Sequence, residues 1–277
     1  TTLFADSLKP PEASARVVEA RRLLMRGGSP LAWWAAQYLA RIQSMRHDEE
    51  GALRAIRSVR DSAPPQYTLA RSLAVSSAGL IYDTRSDYVH AVAAYDSAMQ
   101  EGQRTDEPEI VLRNASWLAA LTTVLRGRDE GWRVLYATLL TSKPFPTQSR
   151  SLLSVWSLAA LSTATEAPRL SLRFWDEAVR ISQRIENPAF VAVAHKGRAS
   201  QLAQMGMIAL ANPAVDSAFA AAKRASDARV RATLLSDATL VRGLIALRTS
   251  PKEADSALQR VVDDYRESNY SRGLAPA

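Results

Sequence analysis

Residues 74–102 read AVSSAGLIYDTRSDYVHAVAAYDSAMQEG. Small Ala78 and Gly79, aromatic Tyr82, then Ala91, Tyr95 and Ala98 recur at the offsets at which two helices joined by a short turn would meet. Small side chains at Gly79, Ala91 and Ala98 let two backbones approach. Tyr82 and Tyr95 fill the space left between them. A helical hairpin is therefore expected here, and its pattern can be looked for elsewhere.

It recurs. A small or aliphatic residue, a bulky one four positions on and a small one seven on occurs as Ala52/Ile56/Val59, Ala91/Tyr95/Ala98, Gly131/Leu135/Thr138, Ser171/Trp175/Ala178, Val215/Phe219/Ala222 and Ala254/Leu258/Val261. The starts are 39, 40, 40, 44 and 39 residues apart. Thirteen residues before each start lies a matching pair on the preceding helix: Leu39-Ala40, Ala78-Gly79, Leu118-Ala119, Leu158-Ala159, Leu202-Ala203 and, departing from the rule, Val241-Arg242. Arg242 forbids the same close approach, so the sixth unit is expected to pack more loosely or to shift its register. Chance would not hold six segments to that period, and the fold expected is an all-α superhelix of about six helix pairs plus a leading helix at 13–26. The units expected are 31–65, 66–104, 107–143, 147–186, 188–225 and 228–266, in one array over 1–277, with 267–277 as a tail or the onset of a further repeat.

Helix ends are signalled locally. Gly27-Gly28-Ser29-Pro30 stops the leading helix and starts the next, with Ser29 as its cap. Asp48-Glu49-Glu50, Asp106-Glu107-Pro108, Asn187-Pro188, Asn212-Pro213 and the box Ser250-Pro251-Lys252-Glu253 place acceptors and acids where unpaired amides point.

Composition agrees and narrows function. Hydrophobic residues make up 47% of 277, Gly totals 11, and there is no Cys, which removes disulfides, Cys-ligated metal and thiol chemistry. The net charge of +7 fits an anionic partner or an Arg-rich genome equally. No run of about 18 apolar residues exists, and no basic and apolar leader opens the chain, so a cytoplasmic protein with no membrane contact is expected. A chain starting without Met reads as an excised piece.

The pattern Leu-Gly/Ala, Tyr, Ala, aromatic, Ala, then Pro resembles the tetratricopeptide repeat, most clearly in Ala78/Gly79/Tyr82/Ala91/Tyr95/Ala98 and in Leu39/Ala40/Ala52/Ile56/Val59/Pro64. The standard unit is 34 residues. A period near 40 is similar instead to the longer variant of kinesin light chains, large bacterial transcription regulators and repeat proteins joined to CHAT proteases, as are joints such as RISQRIENPAFVAVA at 180–194. HEAT repeats match in length but do not require the small-residue pairing. Pentatricopeptide repeats, which bind RNA, run closer to 35 residues.

The resemblance implies that the first helix of each pair lines a concave groove. The first helices at 31–45, 66–82, 147–163 and 190–208 contain no Asp or Glu, which leaves Glu109 and Asp237 as exceptions in the other two. The groove is expected to be neutral to basic, near Arg41, Arg71, Arg113, Arg150 and Arg198, unless these helices are simply more buried and shed charge. Positions five and six of each unit point inward in this frame. Gln37, Tyr38, Arg41, Arg113, Trp117, Trp156, Arg198 and Gln201 are the candidate groove residues. The aromatic row would hold an extended or helical peptide, with Ser and Gln satisfying its backbone, unless the rings pack between neighbouring first helices. Chaperone-tail clamps need Lys and Asn where Gln37, Arg41, Ser77 and Trp117 stand, so that activity is not implied.

Chemistry is thinly signalled. His47, His90 and His195 have no second His or Cys at helical ligand spacing, so no metal is expected, and the acids after His47 read as a helix start. No phosphate-cradling or nucleophile-elbow motif occurs, and no cofactor or catalytic residue is assigned. Arg residues are spread rather than clustered with aromatics, which disfavours nucleic acid. The reading is a non-catalytic interaction scaffold for a protein or peptide, an acidic one included. Its alternative is the sensor arm of a larger bacterial enzyme or regulator, with an effector domain outside the fragment.

Overall fold

The computed structural model describes residues 10–46, 48–141 and 149–267. His47, the link at 142–148 and the expected helix onset after 267 lie outside the described residues. Among the described residues every regular element is an α-helix and there is no strand. The chain divides into two compact units, Thr1–Pro144 and Phe145–Ala277.

Unit 1 holds the leading helix α1 (Pro10–Arg26) and three pairs: α2 (Leu31–Met45) with α3 (Glu49–Ser62), α4 (Thr68–Thr84) with α5 (Tyr88–Arg104), and α6 (Pro108–Arg126) with α7 (Arg128–Thr141). Each helix packs on the next in sequence, and the first helices also touch one another, α2 on α4 and α4 on α6. The residues of the repeating pattern make these contacts. Ala52, Val59, Ala91, Ala98 and Leu135 are fully buried, and Tyr95 is 1% exposed. Gly79 lies against the Tyr95 ring so closely that a Cβ there would be 2.7 Å from Cε1. At Gly131 a Cβ would stand 2.7 Å from the backbone oxygen of Ala119. A small residue is thus required at those two crossings because helix backbone and ring have no room to retreat.

Unit 2 holds α8 (Arg150–Thr163) with α9 (Pro168–Ile185), α10 (Pro188–Gln204) with α11 (Ile208–Lys223), and α12 (Ala228–Ala246) with α13 (Pro251–Glu267). Ala178, Leu202, Ala222 and Ala254 are fully buried, while Phe219 and Leu258 are only partly so. The sixth pair shifts register. Gly243, one residue after Arg242, takes the close approach, with Leu258 Cδ2 2.9 Å from its notional Cβ. Arg242 turns instead onto α11, where it pairs with Asp216 and stacks 4.3 Å over the Phe219 ring.

Capping follows the sequence at Asp48, which accepts from Gly51 N at 2.9 Å, and at Asn187, which accepts from Ala189 N at 3.0 Å. Two ends differ. Pro30 rather than Ser29 is the cap of α2, and Ser29 Oγ reaches only the Leu31 amide, at 3.4 Å. Asn212-Pro213 starts no helix. Pro213 lies inside α11, which begins a turn earlier after Met207. Burial of Ala211, Ala214, Val215 and Ala218 on one side holds that helix continuous, and the proline forfeits a single backbone bond near the N-terminal end.

Candidate functional site

In unit 1 the first-helix face carries Gln37, Tyr38, Arg113 and Trp117; Arg41 falls outside the described side chains. Tyr38 is 39% and Trp117 42% exposed, uncommon values for large rings in the interior of a helix pair. The Trp117 indole lies nearly parallel to the Tyr95 ring, 6.2 Å between centroids and 14° between planes. Tyr95 thus reaches from α5 to hold one face of the indole. Burial pushes the Tyr95 phenol well above its usual range, with Asp83 adding to the shift and Arg113 opposing it. Its hydroxyl has no hydrogen-bond partner among the described residues, nor has the Oδ1 of Asn114, one turn before Trp117. Gln37 is an inter-helix tie, its Nε2 donating to the Ala70 carbonyl of α4 at 3.0 Å. The helix α4 also extends to Thr84, so the observed first helix includes Asp83.

In unit 2 the expected groove residues are more committed to internal contacts. Trp156 is half-buried and tilts against Phe174 of α9, centroids 5.4 Å apart. Arg198 is ion-paired with Asp176 of α9 at 2.7 Å. Gln201 does not reach the surface. It is 2% exposed, its Oε1 accepts from Ser171 at 2.8 Å, and its Nε2 donates to the Ala164 carbonyl at 3.3 Å. Lys196 pairs with Asp237 of α12 at 2.6 Å, so carboxylates meet part of the cationic charge on these helices. Arg150 stacks over Phe190 at 5.2 Å. Burial, and secondly the nearby Arg198 charge, push the His195 imidazole below its usual pKa.

Sequence reasoning missed the opposite side of unit 1. There α3, α4 and α5 enclose a trough of about 380 Å³, floored by Ile56, Val75, Ala78 and Tyr82 and rimmed by Arg57, Arg60 and His90. The His90 ring tilts over Tyr82 at 5.3 Å and its Nδ1 lies 2.8 Å from both oxygens of Asp87. A second trough of about 710 Å³ lies between α5 and α7 over α6, and exposed Ala93 lines both. The Arg54, Arg57, Arg60 spacing on α3 was the available signal.

Among the described residues no group of three or more His, Cys, Asp or Glu side chains could hold a metal ion. No described helix is long and apolar enough to cross a membrane.

The fold is that of an all-α, tetratricopeptide-like solenoid. No protein-family model and no curated protein matches the chain. Solved structures do match. A tetratricopeptide repeat protein from Parabacteroides merdae is 13% identical with a TM-score of 0.55, over 94% of this chain and 93% of that one. BtubC (BKLC) from P. vanneervenii is 19% identical with a TM-score of 0.57, over 81% of this chain and 90% of that one. A signal transduction ATPase with numerous domains and a tetratricopeptide repeat sensor, from Pyrococcus horikoshii, is 14% identical with a TM-score of 0.59. There the match covers 94% of this chain but only 41% of the ATPase. At such identities the likeness concerns the fold.

Proposed function

We propose that this chain is a protein-interaction scaffold whose first-helix face in unit 1 takes a protein or peptide segment. The observation that carries the reading is the Trp117 indole, 42% exposed and braced from behind by the buried Tyr95 ring. A rigid, half-exposed aromatic offers contact area at low entropic cost, which is what anchor residues at interfaces provide. Arg113, one turn away on the same helix, supplies a cation for an acidic neighbour on the partner. Tyr38 offers a second exposed ring on α2, with α4 between it and Trp117.

The test is affinity capture with the chain and with Trp117→Ala, followed by titration of the captured partner. We expect the substitution to weaken binding by ~2 kcal/mol, about 30-fold, in a chain that still folds at the assay temperature. A drop in melting temperature with unchanged affinity would assign Trp117 to packing and overturn the reading.

A sensor arm is the second reading. What favours it is the Pyrococcus horikoshii ATPase, in which a tetratricopeptide sensor belongs to a longer signalling chain and the region similar to this one is 41% of the whole. In such an arm, occupancy of the first-helix face would bias an attached effector.

A further inference from the structure

The trough bounded by α3, α4 and α5 has a composition that selects its occupant. Its floor is apolar, and Leu53 and Ile56 beneath it are almost wholly buried. Its rim offers Arg57, Arg60 and His90, all exposed, and no carboxylate lines it. The neighbouring trough differs, since Asp96 and Glu130 sit in its lining beside Arg126 and Arg133. Arg57 and Arg60 without an acid in the lining therefore set this trough apart from its neighbour.

Arg54, Arg57 and Arg60 rise along one exposed side of α3 at three-residue spacing. Arg54 meets Glu50 only at 3.7 Å, and Arg60 pairs with its exposed neighbour Asp61 at 2.7 Å. Exposed pairs of that kind are worth little and are readily exchanged for a better carboxylate. Arg57 holds no carboxylate in an ion pair among the described residues.

The walls are helices whose backbone groups are already bonded, so the trough has few hydrogen bonds to give an extended chain. A helical guest satisfies its own backbone and asks only for apolar contact and matching charge. We propose that this trough docks an acidic amphipathic helix, which lays apolar side chains on the half-buried Val75, Ala78 and Tyr82 and turns carboxylates toward Arg57 and Arg60. The surface is distinct from the Trp117 face and the proposal does not depend on that one.

The probe is a fluorescein-labelled helix-forming peptide of roughly 17 residues, about five turns, with Leu at i, i+3, i+4 and i+7 and Glu flanking them. Its twin carries Lys in place of Glu. Fluorescence anisotropy at physiological salt should show saturable binding of the Glu peptide, with the Lys twin bound at least ~10-fold more weakly. Arg57→Glu with Arg60→Glu should reverse that preference. Ala93→Trp, at an exposed position on the trough wall, should weaken the Glu peptide ~10-fold without touching a charge. Trp117→Ala should leave its affinity unchanged.

Equal binding of the two peptides, or no saturation below about 1 mM, would overturn the proposal. So would loss of binding through Trp117→Ala with the Arg57 and Arg60 variant unaffected. Sodium decanoate, an acyl anion of matching chemistry, serves as the control for a small amphiphile. Its binding in the trough without binding of the Glu peptide would also overturn the assignment to a helix.

Discussion

The Tyr95 phenol illustrates what single residues decide in this molecule. Its ring is needed, because it fills the space over Gly79 and supports Trp117. Its hydroxyl is buried without a hydrogen-bond partner among the described residues, and leaving such a group unpaired costs about 1–3 kcal/mol. Tyr95→Phe keeps the packing and removes the orphan. We expect it to be neutral or to stabilise by up to ~1 kcal/mol near pH 7 in urea unfolding. The pH dependence follows from the raised folded pKa. Above about pH 10 the unfolded chain releases the phenolic proton while the folded chain keeps it, so stability falls by up to ~1.4 kcal/mol per pH unit. That slope should be present in the wild type and shallower in Tyr95→Phe. Equal slopes would show that Tyr95 is ionised as easily folded as unfolded. The same residue marks how far sequence could be read. Tyr95 as a filler between two helices followed from its spacing to Gly79 and Ala98. The repeat frame turned Trp117 toward the groove but left open whether its ring packs between first helices, because only the packed partners fix that. Gln201 failed for a related reason, since Ser171, thirty residues away, draws its amide inward.

At the scale of elements, the helices are held by crossings at which a methyl group has no space. Helix propensity alone favours alanine over glycine by about 1 kcal/mol. Against this, a Cβ at Gly79 would come within 2.8 Å of two Tyr95 ring atoms, and overpacking of that kind costs roughly 1–3 kcal/mol. The ring cannot retreat because Trp117 stacks on it. Gly79→Ala is therefore expected to be destabilising by ~1–2 kcal/mol, read as a lower urea midpoint with an unchanged slope. A stabilised variant would mean that the crossing between α4 and α5 is looser than described. Helix ends were legible where a side chain acts on its own neighbours, as at Asp48 and Asn187. They were misread at Asn212-Pro213, where burial of Ala211 and Val215 overrides a local stop signal. The troughs were not legible, since each is assembled from three helices and the arginine spacing on α3 marks only one wall of the first.

Across the molecule, packing is short-ranged. Within each unit a helix touches the one before, the one after, and sometimes the next first helix. In unit 2, Leu202, Ala211 and Val215 share a core cluster with Ala238, Val241 and Ile245 of α12. Removal of residues 228–277 should expose that face. We expect amide exchange in α10 and α11 to accelerate while α8 and α9 retain most of their protection, because stability in such arrays is a sum of neighbour terms. Uniform loss of protection through unit 2 would point to one cooperative core instead. The periodic residues made this architecture readable, as the same three positions are buried again and again.

Because α4 meets most of its partners between α2 and α6, it need not wait for the rest of the chain. On the ribosome, a hairpin can consolidate once the following forty or so residues have emerged. Pulled from its ends, unit 1 would on the same grounds be expected to yield in small successive extensions rather than in a single rupture.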